Sequence, residues 1–167
     1  MATIFGDTSG SLTGAEVGGN QTINGTDYVF NFIYGDAGSQ YGTSRGGDDY
    51  IIGGQGQGGS NLIFGDSNQL FDSATGGNDT IIGGNSVDNN TLVGDADSLR
   101  DHSVGGNDYI KCGDNVAHNF PSDQNFVLGD AAIIAGSAIA GNDTIIGGLY
   151  STNKRWGWPS RFSAWRK

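Results

Sequence analysis

The chain has 167 residues, of which 31 are glycine and only 2 are proline, and its formal net charge is −10. Glycine without a G-X-Y period excludes collagen, and the single cysteine excludes an intrachain disulfide. An acidic chain whose basic residues cluster after residue 148 is not expected to bind nucleic acid, and no apolar run approaches the roughly 18 residues of a membrane span.

A short β-branched or aromatic strand that ends in Gly-Asp opens the chain and recurs along it. The copies occupy residues 3–7, 31–36, 61–66, 90–95 and 125–130. Their glycines lie 29, 30, 29 and 35 residues apart, so the repeat is about 30 residues long, and the surplus falls in the loop 114–124. Its central column reads Ile4, Ile33, Ile63, Leu92 and Val127. Both faces of this strand are apolar, which predicts that both are covered.

A weaker apolar column follows each Gly-Asp turn, consisting of Leu12, Gln40, Leu70, Leu99 and Ile134. The pattern is compatible with a third wall of the fold or with a loop anchored on it.

The second strong motif joins a glycine turn, a carboxylate and a three-residue strand. It spans residues 46–54, 76–84, 105–113 and 140–148, and a degenerate copy at 18–25 carries Gln21 in place of the aspartate. Its central column contains isoleucine in all copies: Ile23, Ile51, Ile81, Ile110 and Ile145. Two strand segments at a fixed long period, with no helical periodicity, predict an all-β, right-handed parallel β-roll or β-solenoid of about five coils over residues 1–148.

Residues 149–167 break the repeat pattern. This segment contains all three tryptophans and five basic residues. It is predicted to be a separate cap or tail, and an end cap is one way to protect the last coil of a solenoid.

The acidic residues are chemically selective, because 17 of the 18 are aspartate. Aspartate tolerates turns and holds its oxygens close to the backbone, as calcium-binding loops require, and Ca²⁺ takes six to eight oxygen ligands. Two histidines and one cysteine make zinc a poor fit. Several Ca²⁺ ions are therefore predicted. The candidate ligands are Asp49, Asp79, Asp108 and Asp143, their neighbours Asp48, Asn78, Asn107 and Asn142, the turn glycines Gly46, Gly76 and Gly105, and the Gly-Asp carboxylates Asp36, Asp66, Asp95 and Asp130.

The stretch Gly-Asn-Asp-Thr-Ile-Ile-Gly-Gly resembles the haemolysin-type, or RTX, calcium-binding repeat. In that pattern Gly77 is the turn glycine, Asp79 is a ligand and Ile81 is the buried residue. The resemblance implies a parallel β-roll with Ca²⁺ between successive turns, and export without an N-terminal signal peptide by type I secretion. The family's nonapeptide period is much shorter than the period of this chain.

The predicted function is calcium binding that promotes folding of a secreted or cell-surface protein with no catalytic activity, since the repeats occupy almost the whole chain and no H-E-x-x-H motif is present. The alternative is a metal-free structural or adhesive solenoid in which Gly, Asn and Asp only line the turns. Such a protein would self-associate through its apolar outer face or attach to a larger chain.

Overall fold

A computed structural model describes residues 1–85, 87–114, 124–148 and 151–153. All regular secondary structure in these ranges is β-strand, and every strand pair is parallel. A search of the same ranges for a helix with the length and apolarity of a membrane span finds none.

The sixteen strands form three parallel sheets, and the chain visits the sheets in the same order in every coil. The first sheet contains β1 (Ala2–Phe5), β4 (Phe30–Tyr34), β7 (Ser60–Phe64), β10 (Asn89–Val93), β13 (Gln124–Leu128) and β16 (Ser151–Asn153). The second contains β2 (Thr8–Leu12), β5 (Ala37–Gln40), β8 (Ser67–Leu70), β11 (Ala96–Leu99) and β14 (Ala131–Ile134). The third contains β3 (Thr22–Asn24), β6 (Tyr50–Ile52), β9 (Thr80–Ile82), β12 (Tyr109–Lys111) and β15 (Thr144–Ile146).

The fold is thus an all-β solenoid of about five stacked coils, as predicted. The weaker apolar column forms the second sheet, so it is a third wall of the coil. A row of single bridges, formed by Val17, Arg45, Thr75, Val104 and Ile139, closes the coil between the second and third sheets.

The predicted apolar columns face the interior and stay in register from coil to coil. Ile51 pairs with Ile81, and Ile81 pairs with Ile110. The isoleucines and their counterparts in the first sheet form one buried cluster, consisting of Ile23, Ile33, Ile51, Ile63, Ile81, Leu92, Ile110, Cys112 and Val127. Because strands of three to five residues cannot bury a face alone, this stacking is what stabilises them.

An asparagine ladder lies beside the apolar cluster. In the first sheet the Nδ2 of Asn61 donates to Oδ1 of Asn90 at 2.8 Å and to the carbonyl oxygen of Gly54 at 2.8 Å. The N–H of Gly54 donates in return to Oδ1 of Asn61 at 3.0 Å. Asn31 donates in the same way to Asn61, and Asn90 to Asn125. The ladder therefore satisfies the buried backbone at the corner where the third sheet turns into the first.

The outer face of the first sheet carries a second stack, made of aromatic and aliphatic side chains. The rings of Phe5 and Tyr34 stack with centroids 4.9 Å apart, and those of Tyr34 and Phe64 with centroids 5.4 Å apart. Val93 and Leu128 continue this column, and Phe32 and Leu62 pack against it. The prediction that both faces of this strand are covered is confirmed for the column of Tyr34 and Phe64, which cover each other.

The described part of the predicted tail is β16, which pairs with β13 and extends the first sheet. The rest of the tail, with its three tryptophans, lies outside the described residues, as does most of the predicted long loop at 114–124.

Candidate functional site

Two columns of aspartates lie inside the coil, between its apolar clusters. We call Asp49, Asp79, Asp108 and Asp143 the first aspartate column, and Asp36, Asp66, Asp95 and Asp130 the second aspartate column; all eight are buried. The first column precedes the strands of the third sheet, and each member lies two residues before an inward isoleucine. Since alternate residues of a strand face the same side, both side chains point inward.

Each carboxylate of the first aspartate column is oriented by the backbone of the preceding coil. The N–H of Asp49 donates to Oδ1 of Asp79 at 2.7 Å. The N–H of Asp79 donates to Oδ1 of Asp108 at 2.8 Å, and that of Asp108 to Oδ1 of Asp143 at 3.0 Å. The carboxylates therefore form a ladder. In each carboxylate, Oδ1 accepts the hydrogen bond and Oδ2 is turned away from it.

The second aspartate column is oriented within its own coil. The N–H of Gly77 donates to Oδ1 of Asp66 at 2.7 Å, and the N–H of Gly106 donates to Oδ1 of Asp95 at 2.6 Å. Gly47 makes the equivalent bond to Asp36, and Gly141 to Asp130. Each of these donors is a turn glycine that lies two residues before a member of the first aspartate column. The turn before each strand of the third sheet is therefore in contact with both columns.

Glycines separate the columns because a side chain would occupy the space of the carboxylates. A Cβ atom at Gly76 would overlap with Oδ1 of Asp95 and come within 2.6 Å of Oδ2 of Asp66. A Cβ atom at Gly65 would overlap with both Oδ2 of Asp79 and the carbonyl oxygen of Gly94. The same pattern holds at Gly46 and Gly105. The predicted turn glycines therefore lie directly against the carboxylates.

Five carboxylate oxygens of the two columns are buried without a hydrogen-bond partner. They are the Oδ2 atoms of Asp49, Asp66, Asp79, Asp95 and Asp108. A buried ionised carboxylate that lacks a partner costs several kcal/mol. Their concentration in the middle coils marks this part of the interior as the candidate site.

The pKa values of these carboxyl groups are displaced upward. Burial, together with the charge of Asp49, raises the pKa of Asp36 to about 8, and burial raises the pKa of Asp49 to about 7. For Asp66 the pKa lies well above the ordinary value because of burial and the charges of Asp79 and Asp95. For Asp108 the causes are burial and the charge of Asp143. Charges of the two columns are thus close enough to oppose each other's ionisation.

The candidate site has a different side chain in the first coil. Gln21 replaces the aspartate, and its Nε2 donates to Oδ1 of Asp7, while its backbone N–H donates to Oδ1 of Asp49 at 2.7 Å. An amide thus stands where the other coils have a second carboxylate. The first coil therefore offers one carboxylate fewer than the coils that follow it.

The neighbouring candidates at Asp48, Asn78, Asn107 and Asn142 lie on the outer surface, where all four are exposed. The Nδ2 of Asn78 donates to Oδ1 of Asp48 at 3.0 Å, and the Nδ2 of Asn107 donates to Oδ1 of Asn78 at 3.0 Å. We call these four residues the outer ladder. Being one residue from the first aspartate column, they point to the opposite face, and the structure does not bring them to the interior site.

Two groups near the columns were not among the predicted ligands. Carbonyl oxygens of the Gly-Asp glycines, such as that of Gly94, lie beside the first aspartate column. Gln40 lies in the second sheet, and its Nε2 is 3.4 Å from Oδ2 of Asp36. The Gly-Asp dipeptide is the signal that could have indicated the carbonyl oxygens, whereas Gln40 occupies a column that is otherwise apolar.

The described residues contain no group of three or more His, Cys, Asp or Glu side chains arranged to hold a metal ion. A cation between the columns would therefore need further oxygens from the backbone or from water. Cys112 contributes no ligand, because it packs in the apolar cluster and burial raises the pKa of its thiol to about 11.

Comparison of the chain with protein-family models, curated proteins and solved structures gives no significant match. The fold and the buried carboxylates of this chain are therefore the basis for inferring its function.

Proposed function

We propose that the protein is a non-catalytic calcium-binding β-solenoid that binds several Ca²⁺ ions between its two aspartate columns. The observation that carries the proposal is the set of five buried Oδ2 atoms without a partner, contributed by both columns. Buried polar atoms are normally paired, and a bound ion is one of the few explanations for a cluster that is not.

The electrostatics of the interior favour a cation. Residues 1–148 contain 18 acidic residues against Arg45, Arg100 and Lys111, a net charge of about −15. Among the described residues, no basic side chain is bonded to the buried Oδ2 atoms of Asp49, Asp66, Asp79, Asp95 and Asp108. Without a cation, the carboxyl groups must hold protons or repel one another.

The ligand chemistry favours Ca²⁺ over other ions. Carboxylate oxygens and glycine carbonyl oxygens are the ligands that Ca²⁺ takes, in variable number and geometry. Residues of one coil, such as Asp66 and Asp79, would supply the carboxylates, and the carbonyl oxygen of Gly94 lies beside Asp79. Mg²⁺ requires a stricter octahedron and keeps several waters. Bound Ca²⁺ would supply positive charge that neutralises the columns.

The turns resemble haemolysin-type calcium repeats, and this resemblance supports an extracellular role reached by type I secretion. Calcium that binds only the folded chain stabilises it by mass action. The chain would then remain loosely folded at low calcium inside the cell and become rigid outside. The acidic surface also supports a function that involves no nucleic acid.

The test is a calorimetric titration of chelator-stripped protein with CaCl₂ at pH 7, with circular dichroism and urea unfolding measured in parallel. We expect several ions per chain, a higher unfolding midpoint, and a weaker response to MgCl₂. Because the pKa values of Asp36, Asp49 and Asp130 lie at about 8, 7 and 7, binding should also release protons. Titrations in two buffers of different ionisation enthalpy measure that release.

A stripped protein that is fully folded and binds no Ca²⁺ would overturn the proposal. It would favour the second candidate, a metal-free structural or adhesive solenoid whose interior carboxyl groups hold protons. The observation in its favour is the outer face of the first sheet, where Phe30 remains 40% exposed beside the half-buried Phe32. Self-association through this face would appear as a concentration-dependent mass in analytical ultracentrifugation, and Phe30→Ser would abolish it.

A further inference from the structure

The outer face of the third sheet carries a regular array of mostly uncharged residues. Its middle row is Thr22, Tyr50, Thr80, Tyr109 and Thr144, and these residues pair in register along the sheet. The side chains of Tyr50 and Tyr109 are 44% and 38% exposed. No register shift interrupts the strands β3, β6, β9, β12 and β15, so the tyrosines occupy equivalent places two coils apart.

The spacing of the tyrosines is set by the coil stacking. Parallel strands lie about 4.8 Å apart, so one intervening strand separates equivalent atoms of Tyr50 and Tyr109 by about 9.6 Å. This distance is close to the length of two pyranose rings in an extended β-1,4-linked glycan. A tyrosine ring presents an apolar face to the C–H groups of a sugar and a hydroxyl group to its polar edge.

The outer ladder runs beside the tyrosines and supplies polar groups. Asp48, Asn78, Asn107 and Asn142 lie two residues before the middle row, on the same face. Each amide of this ladder is held by its neighbour, as Asn107 is held by Asn78 at 3.0 Å. The amides are therefore oriented in advance, and amides in a fixed row can donate to and accept from successive sugar hydroxyls.

The charge of the face fits an uncharged ligand. In the outer ladder and the five strands of the third sheet, the charged residues are Asp48 of the ladder and Lys111 at the end of β12. Their charges cancel, while the whole chain carries −10. An anionic polymer would be repelled by the rest of the molecule and a cationic one would bind elsewhere on the acidic surface. A neutral polymer is neither repelled by the acidic surface nor attracted to it, so the net charge does not oppose its binding to this face.

We propose that the outer face of the third sheet binds a linear, uncharged β-1,4-linked glycan, with Tyr50 and Tyr109 as stacking platforms and the outer ladder as the polar edge. This binding surface lies on the opposite side of the sheet from the aspartate columns. It is independent of which cation, if any, occupies the interior, provided that the solenoid is folded. Two platforms on one polymer chain also raise the affinity for long ligands over short ones.

The test uses the full chain in CaCl₂, with its fold verified by circular dichroism. Cellohexaose and chitohexaose are titrated calorimetrically, and binding to insoluble cellulose and chitin is measured by sedimentation. Comparison of the two hexasaccharides shows whether the protein prefers a cellulose-like or a chitin-like polymer. We expect Tyr50→Ala and Tyr109→Ala each to lower the affinity about twofold to tenfold, and disaccharides to bind far more weakly than hexasaccharides.

Tyr41→Ala is the matched control, because Tyr41 is 37% exposed but stacks on Phe71 on a different side of the coil. This variant should bind the hexasaccharides as the unaltered chain does. Absence of binding to both polymers by the folded chain, or an equal loss in Tyr41→Ala and Tyr50→Ala, would overturn the proposal. Calcium titration of the same samples separates this outcome from a failure of the interior site.

Discussion

The backbone N–H of Asp79 donates to Oδ1 of Asp108 at 2.8 Å, while Oδ2 of the same carboxylate is buried without a partner. The backbone of one coil thus fixes the carboxylate of the next and leaves its second oxygen available inside the coil. Asp72 and Asp101 have the same relationship at 3.3 Å on the outer side, where Asp101 is exposed to water. The two pairs differ in burial, which makes them a natural comparison.

Asp108→Asn should change calcium binding and stability in opposite directions. In the metal-free protein at pH 8, loss of a buried charge should raise the free energy of unfolding by about 1–3 kcal/mol. With Ca²⁺ the same variant should bind fewer ions and gain less stability from them. Asp101→Asn, the exposed counterpart, should alter neither quantity by more than about 0.5 kcal/mol. Calorimetric stoichiometry and urea unfolding measure both effects. Equal behaviour of the two variants would contradict a role for the buried oxygen.

The stability of the metal-free protein should fall as the pH rises. The pKa of Asp36 is about 8 and that of Asp49 about 7 in the folded chain, against an ordinary value of 3.8. A carboxyl group whose pKa is raised by folding stabilises the folded state fully at pH values below its pKa in the unfolded chain. This contribution is lost as the pH rises through its pKa in the folded chain. The urea midpoint should therefore be lower at pH 8.5 than at pH 5, by about 1 M. Saturating Ca²⁺ should remove most of the difference, and a midpoint that rises with pH in chelator would contradict the burial of these groups.

Gly76→Ala should be strongly destabilising, by about 3 kcal/mol or more, because its Cβ would collide with the carboxylates of Asp66 and Asp95. Gly10→Ala is the control, since the nearest atom to a Cβ there is Thr8 Oγ1 at 3.4 Å, an ordinary contact. The chain itself has Ala140 at the equivalent position of its last turn, where no described coil follows. Thermal unfolding of both variants measures the difference, and similar midpoints would show that the columns can move apart.

Asn61→Ala should cost about 2–4 kcal/mol, because it removes a side chain that bonds Asn31, Asn90 and the backbone of Gly54 in a buried corner. Asn78→Ala removes a member of the outer ladder that is exposed to water. Its cost should stay below about 1 kcal/mol, since water replaces the lost bonds. If urea unfolding gave the two variants the same loss, the asparagine ladder would have no special part in stability.

Sequence periodicity predicted the fold because each repeat carries the same two apolar columns. Ile51 and Ile63 belong to different motifs, and both are fully buried as their positions indicated. The signal for the second sheet is weaker, because Gln40 interrupts its otherwise apolar column. Ile134 is 36% exposed since no described strand covers β14.

The sequence indicates the aspartates of both columns but not their arrangement in space. The sequence places Asp66 and Asp79 in separate motifs 13 residues apart, and only the closed coil brings them to one interior space. Asn78 and Asp79 are adjacent in sequence and lie on opposite faces of the wall. Alternation extended back from the inward Ile81 assigns these faces, with Asp79 inside and Asn78 outside.

The first aspartate column stays continuous although the distance along the chain changes. Asp79 and Asp108 are 29 residues apart, whereas Asp108 and Asp143 are 35 apart, and both pairs make the same hydrogen bond. The additional residues lie in the sequence between Asp114 and β13, and β13 pairs in register with β10. The corner between these points is therefore a natural insertion site, where a foreign peptide can be displayed on the solenoid while the periodic scaffold beneath it keeps its dimensions.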